Sequence, residues 1–436
     1  MSGHGTGRRS GRVGVRGVLP IGAAGLLAAV TVLMVSTTPQ SAGVTGLASE
    51  RIDLTLPGVP IRAASSFGGG AGTGLADSAT GDRAVAAVLA DVQDFWSIQL
   101  SGNGGSGLTP LAGGVVSMDS TQPGGPALCI TDPAQITGNA FYCPQGDGIV
   151  YDSSALVPVL LGRYGSAGLA AAFAHEFGHA VQARIGPTLI DREQHPQQYP
   201  SILIEAQADC DAGAFLAWAV TGAARRVHLP PASLLRAVAP LLDFRDPPVL
   251  SPTAATAHGL GLDRLSFLLV GVRNGAAACH AMTVTDLPLT LGRAEVATGP
   301  PSSQPRSPST AAAVAAAAVS VTAFAGGLGA AVDTTALATV VADPADLAVA
   351  ADLGQFAAGA AVALAAGRVI TGTIAGAACF TGAWTASVFG HAAADELGSW
   401  ATDADEAMDL IRSRPGTDFT DLAAYADGFH QGRSAC

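Results

Sequence analysis

Residues Ala171 to Gln182 read Ala-Ala-Phe-Ala-His-Glu-Phe-Gly-His-Ala-Val-Gln, and no other run constrains the fold as much. The surrounding pattern predicts a helix over roughly Gly165 to Arg184, with Gly186-Pro187 as its stop. On a helix, His175 and His179 stand one turn apart on one face, so both imidazoles can reach one ion. Glu176 is offset by one residue. From there a carboxylate is poorly placed as a third ligand, but it can accept a proton from water on the ion. Phe173, Phe177, Ala180 and Val181 supply an apolar side for burial.

A catalytic zinc site needs a third protein ligand and a position left for water. The next helix-like run, Ser201 to Thr221 with Gly222 near its end, opens Ser-Ile-Leu-Ile-Glu-Ala-Gln-Ala-Asp-Cys. Glu205 and Asp209 are again four apart and share a face. Glu205 is the expected third ligand. Asp209 is expected to accept an N–H from a liganding histidine, His175, fixing its tautomer and ring angle. Two solvated surface acids fit poorly here: the run is otherwise nearly all Ala, Ile, Leu, Phe and Trp, and unpartnered buried carboxylates are costly. The expectation is one Zn2+ per chain, with Glu176 as general base.

In chain order, Phe141 to Pro144 (Phe-Tyr-Cys-Pro), His175 to Gln182 and Glu205 to Cys210 (Glu-Ala-Gln-Ala-Asp-Cys) resemble the neutral zinc metallopeptidases of bacteria. More distantly they are similar to thermolysin-type enzymes with a His-His-Glu site. The resemblance covers roughly Asp82 to Cys279. It implies a zincin-like peptidase acting on a peptide or protein, with the strand Ile149-Val150-Tyr151 bordering the cleft and aligning an extended substrate. His258, in Ala-His-Gly, lies where that group often has a His-Gly before its next helix. It is the candidate donor to the oxyanion opposite the metal. Tyr199, His195 and His228 are alternatives without a spacing argument.

The 436 residues leave room for two modest domains besides leader and linker. Arg8, Arg9, Arg12 and Arg16 precede an uncharged, largely apolar run from Gly17 to Val35, so residues 1–42 read as a signal peptide or an N-terminal membrane anchor. Residues 43–80 show no period and read as a flexible linker. The peptidase domain is expected over 81–297, with a helix from Arg83 to Leu100 (Val85, Val88, Leu89, Val92, Phe95, Trp96 and Ile98 at helical spacing), strands at Ala140–Cys143 and Gly148–Asp152, and a helix over Leu262–Cys279. A Pro/Ser linker at 298–310 leads to an Ala-rich helical domain at 311–436. Fold class is therefore mostly α with a small β-hairpin or sheet (α+β). Val369 to Phe389 carries no charge and could span a membrane, but alanine and glycine gain little in lipid, which favours a buried helix. All 22 basic residues are arginines, the net charge is −12, and arginines do not cluster with aromatics as a nucleic-acid groove requires.

Six cysteines in a chain expected to leave the cytoplasm favour disulfides, although counting cannot choose among fifteen pairings. An internal echo narrows the choice. Gly271-x-x-x-Gly275-x-x-x-Cys279 recurs as Gly428-x-x-x-Gly432-x-x-x-Cys436, and Ala208-x-Cys210-x-x-Gly213 recurs as Ala377-x-Cys379-x-x-Gly382. This suggests a degenerate C-terminal repeat with Ile374 in place of Glu205 and Ala378 in place of Asp209, and the pairings Cys129–Cys143, Cys210–Cys279 and Cys379–Cys436. Extracytoplasmic placement, in the cell envelope or secreted, follows from leader and cysteines together. A rival reading is a non-catalytic zinc-containing envelope binding or scaffold protein, and a third is a multi-span membrane peptidase.

Overall fold

Two sets of packed helices, with a small sheet against the first, make up the chain in the computed structural model, which describes residues 50–64, 75–101, 107–247, 256–290, 310–327, 340–389 and 402–436, and positions 254, 397 and 400. The first set comprises β1 (Arg51–Ile52), β2 (Ile61–Ala63), α1 (Leu75–Ser101), β3 (Gly114–Met118), β4 (Ala140–Cys143), β5 (Gly148–Asp152), α2 (Leu156–Val159), α3 (Gly165–Ile185), α4 (Leu189–Gln194), α5 (Ser201–Trp218), β6 (Val227–His228), α6 (Leu234–Asp243), α7 (Gly261–Asn274) and α8 (Ala276–Ala281). The second comprises α9 (Thr310–Gly326), α10 (Pro344–Leu353), α11 (Gln355–Thr371), α12 (Ile374–Val388), α13 (Asp403–Ser413) and α14 (Phe419–Gln431). The fold is mostly α with a small sheet.

Strand order is β2-β3-β5-β4, with β2, β3 and β5 parallel and β4 antiparallel to β5, Tyr142 facing Ile149. The sheet changes two expectations. Residues 43–80 are not all linker: β2 extends the sheet and β1 pairs with β6, Arg51 opposite His228. Strands of two and three residues carry no period, and their partners lie far along the chain. β5 has no free edge along which to align an extended substrate, because β3 and β4 flank it; the edge strands of the sheet, among the described residues, are β2 and β4, and β4 is the one beside β5.

Helix α1 buries Val85, Val88, Leu89, Val92, Phe95 and Trp96, but Ile98 is 57% exposed. At 3.6 residues per turn it falls about 120° from Val92, off the stripe. Residues 1–42, and the proposed linker up to residue 309, lie outside the described residues. The run Val369 to Phe389 is broken at Gly372 (φ 74°), and the 15-residue α12 buries Phe380 and Trp384. The stretch Leu156–Ile185 is long and apolar enough to cross a membrane, and a little over half of its most apolar window is packed inside the protein.

Helix α5 lies between α3 and α7 at very short range. A methyl on Gly213 would strike the Leu268 carbonyl, and one on Gly271 the Cys210 carbonyl. On the other side, Gly178 of α3 admits the backbone of Ala208. The second set repeats these contacts. Gly382 abuts the Tyr425 carbonyl, Gly428 the Cys379 carbonyl, and Gly367 the backbone of Ala377. Disulfides join Cys129 to Cys143, Cys210 to Cys279 and Cys379 to Cys436.

Candidate metal centre

The helical pitch of α3 places the rings of His175 and His179 with centroids 4.9 Å apart, and α5, held close by Gly178, brings Glu205 to them. Glu205 Oε2 lies 3.2 Å from His175 Nε2 and 3.5 Å from His179 Nε2. Among the described residues these three form the group whose donor atoms all lie within 4.8 Å of one another.

The outer nitrogens of both rings are already engaged. His175 Nδ1 is 2.8 Å from Asp209 Oδ1, and His179 Nδ1 is 3.2 Å from Gln182 Oε1. Gln182 donates through Nε2 to the Ile204 carbonyl at 2.6 Å, which turns its oxygen toward His179. With hydrogens on Nδ1, both Nε2 lone pairs point at Glu205 Oε2, a buried oxygen that accepts no hydrogen bond. Three converging lone pairs are what a cation requires, and two imidazoles with one carboxylate suit zinc. In the metal-free protein protons relieve the same conflict. Burial opposes charge on His175, but Asp209 and Glu205 outweigh it and push its pKa up to about 10. Burial alone would raise Glu205; His258, His179 and His175 hold it well below the usual carboxylate range.

Asp209 is fully buried and doubly held. Arg264, from α7, donates through Nε to Oδ2 at 2.8 Å and through Nη2 at 2.7 Å to Oδ1, the oxygen that also meets His175. Burial would raise the Asp209 carboxyl, but Arg264 and His175 keep it below its ordinary value. Arg264 was not foreseen from sequence. Its signal is a lone basic residue inside the apolar run Leu262 to Val272, in a chain that also buries Asp209.

Glu176 Oε2 accepts the backbone N–H of Tyr142 at 3.1 Å, so the general-base candidate is tied to edge strand β4. Burial pushes its carboxyl upward, against the pull of His175 and His179. The strand is pinned at its turn as well: Tyr142 donates its hydroxyl to Asp147 at 2.9 Å, and Asp147 pairs with Arg184 in the last turn of α3 at 3.0 Å.

His258 comes near the centre, its Nε2 3.8 Å from Glu205 Oε2, outside the three-ligand group. Asp246 accepts N–H bonds from His258 (2.6 Å) and Gly259 (2.7 Å) and faces His258 Nδ1 at 3.3 Å. Glu205 raises the His258 pKa against the effect of burial, and Asp246 adds to it. The alternatives have other partners. His228 pairs with Arg51, His195 Nδ1 meets the Asp191 carbonyl at the end of α4, and the Tyr199 hydroxyl accepts from Gln198.

At the positions of the second set that match these contacts, Leu364 stands for His175, Arg368 for His179, Ile374 for Glu205 and Ala378 for Asp209. None of the four is a carboxylate or an imidazole.

No curated protein and no solved structure matches the chain. The family described as putative neutral zinc metallopeptidase matches residues 6–239, a span that contains His175, Glu176, His179, Glu205 and Asp209. That span is more than half of the 436 residues, and the chain belongs to this zinc metallopeptidase family.

Proposed function

We propose that the protein is an exported zinc-dependent peptidase in which His175, His179 and Glu205 hold one zinc ion and Glu176 is the general base. The observation that carries this reading is the convergence of three lone pairs, with both outer imidazole nitrogens already committed, beside a carboxylate held by a sheet edge. When bound, zinc supplies Lewis acidity that polarises a scissile carbonyl and acidifies the attacking water. Glu176 takes the proton of that water and hands it to the leaving amine. The bond from Tyr142 N–H leaves Glu176 its other oxygen for this exchange. His258, fixed by Asp246, donates from Nε2 to the oxyanion. An extended substrate lies along β4, the sheet edge next to Glu176. Export is supported by the basic and apolar N-terminal sequence and by three disulfides, which persist in oxidising compartments. The matching glycine contacts and disulfides of the second set support its reading as a repeat that has lost the metal ligands.

The test is zinc content by mass spectrometry alongside cleavage of an unstructured protein. Wild type should carry about one zinc per chain and cleave in a chelator-sensitive way. Glu205→Ala should lose the metal. Glu176→Gln should keep it while activity falls at least about 100-fold. Equal zinc in wild type and Glu205→Ala would remove Glu205 from the site, and zinc-loaded wild type that cleaves nothing would favour a non-catalytic scaffold.

A further inference from the structure

We propose that Asp405, on α13 of the C-terminal half, is a positioning residue for the active site: it holds the start of α7, and with it His258 and Arg264, in register with the metal-binding helices. The inference rests on the peptidase reading above.

Helix α7 needs help at its N-terminus. Its cap residue is Leu260, whose side chain has no acceptor, so the first N–H groups must find one elsewhere. Asp405 supplies it from the other half of the chain. Its Oδ2 accepts from Gly261 N at 2.9 Å and its Oδ1 from Leu262 N at 2.8 Å, and the carboxylate is 1% exposed. The approach is close: a Cβ on Gly261 would lie 2.9 Å from Met408 Cε and 3.1 Å from Asp405 Oδ2. A carboxylate at this point also complements the helix dipole.

The same helix grips the segment that leads into His258. Arg245 forms ion pairs with this helix, its Nη1 2.8 Å from Asp409 Oδ2 and its Nε 3.4 Å from Asp405 Oδ2. The next residue, Asp246, holds His258 and donates its own N–H to the Gly259 carbonyl at 2.9 Å. One turn earlier, Asp243 Oδ1 is bound by Arg412 of α13 at 2.8 Å. Helix α13 thus clamps the chain on both sides of His258, before it through Asp243 and Arg245 and after it through Gly261 and Leu262. Arg264, one turn into α7, transmits the same placement to Asp209 and His175. A half that keeps the helical contacts of the first but none of its ligands has here a role that needs no metal: it is the wall against which the oxyanion donor is set.

The experiment uses the full chain and compares wild type with Asp405→Ala, Asp405→Asn and, as a control, Asp427→Asn, which breaks the exposed Arg273–Asp427 pair between the halves. Zinc content, kcat and KM on an unstructured protein, and amide hydrogen exchange across residues 258–264 are measured on each. Asp405→Ala, at zinc loading matched to wild type, should keep KM while kcat falls about 10- to 100-fold, as expected for a reacting group displaced by a fraction of an ångström to an ångström. Exchange across 258–264 should quicken. Asp405→Asn, which keeps an acceptor, should recover part of both, and Asp427→Asn should match wild type. Unchanged exchange, or an equal loss of kcat in Asp427→Asn, would overturn the proposal. Should Asp405→Ala not fold, Asp405→Asn decides by the same two readings. A wild type that binds zinc but does not cleave would sink the peptidase reading alone, since exchange still reports whether Asp405 holds α7.

Discussion

The carboxylate of Asp209 sits between His175 and Arg264, wholly out of water, and the cost of burying it is offset only while both partners remain. Replacing Arg264 with methionine roughly keeps the volume but leaves the buried carboxylate with His175 as its one partner. Arg264→Met should weaken zinc binding about 10- to 100-fold through the misplaced His175. It should also cost about 3–5 kcal/mol of stability. The double variant Arg264→Met/Asp209→Asn should recover part of the stability, because the uncompensated charge is gone. Zinc competition with a chromophoric chelator and urea unfolding measure the two effects. Wild-type zinc affinity in Arg264→Met would show that Asp209 orients His175 unaided. At this scale the sequence was informative about groups on one helix: four-residue spacing places His175 by His179 and Glu205 by Asp209 whatever the rest of the chain does. It said nothing of Arg264 or Asp246, which come from other elements.

The elements meet through glycines. Helices α5 and α7 touch backbone to backbone at Gly213 and Gly271, and α12 and α14 do so at Gly382 and Gly428. A methyl on either second-helix glycine has no flexible neighbour to displace, since a carbonyl stands in its way. Gly271→Ala and Gly428→Ala should each destabilise the protein by about 1–3 kcal/mol, as overpacking does. Their effects should sum to within about 0.5 kcal/mol, because the two contacts share no partner. Gly162→Ala, where nothing lies within 4 Å of the new carbon, is the control and should be neutral or slightly stabilising. Urea midpoints for wild type, the three single variants and the Gly271→Ala/Gly428→Ala double variant decide it; a neutral Gly271→Ala would mean that the helices can part without loss. The spacing of these glycines is visible in sequence as Gly-x-x-x-Gly-x-x-x-Cys, though which helix each one faces is not.

Over the whole molecule, several acids are buried away from any full compensation. Burial pushes the Asp263 carboxyl up to about 6, against the bonds it accepts from Thr290 and Leu260. Burial, with Asp403 adding to it, pushes Glu406 up to about 8. A raised carboxyl contributes stability that is complete below its unfolded value, 4.5 for Glu406, and is lost as pH rises through about 8. Acids held low, such as Asp209, act oppositely and fail only in acid. Glu406→Gln keeps an oxygen for the N–H groups of Phe356 and Ala357 and removes the titration. Its Tm relative to wild type, at equal zinc loading, should change little below about pH 4.5 and rise steadily in its favour to about pH 8. Calorimetry across that range checks it, and a Tm difference independent of pH would rule out a proton held on Glu406.

What the sequence determined by itself is local and periodic. It specified a mostly helical chain, a helix carrying His175, Glu176 and His179 in fixed register, and a second helix carrying Glu205 and Asp209, because helical pitch converts spacing into direction without reference to the rest of the fold. The tertiary structure decided what depends on segments distant along the chain. It placed β2 in the sheet and made β4, not β5, the edge that holds Glu176. It buried Arg264 against Asp209, hung His258 from Asp246, and capped α7 with Asp405 across the two halves. Such contacts leave no period in either partner, since each is a single polar group satisfied by another that only folding brings within reach.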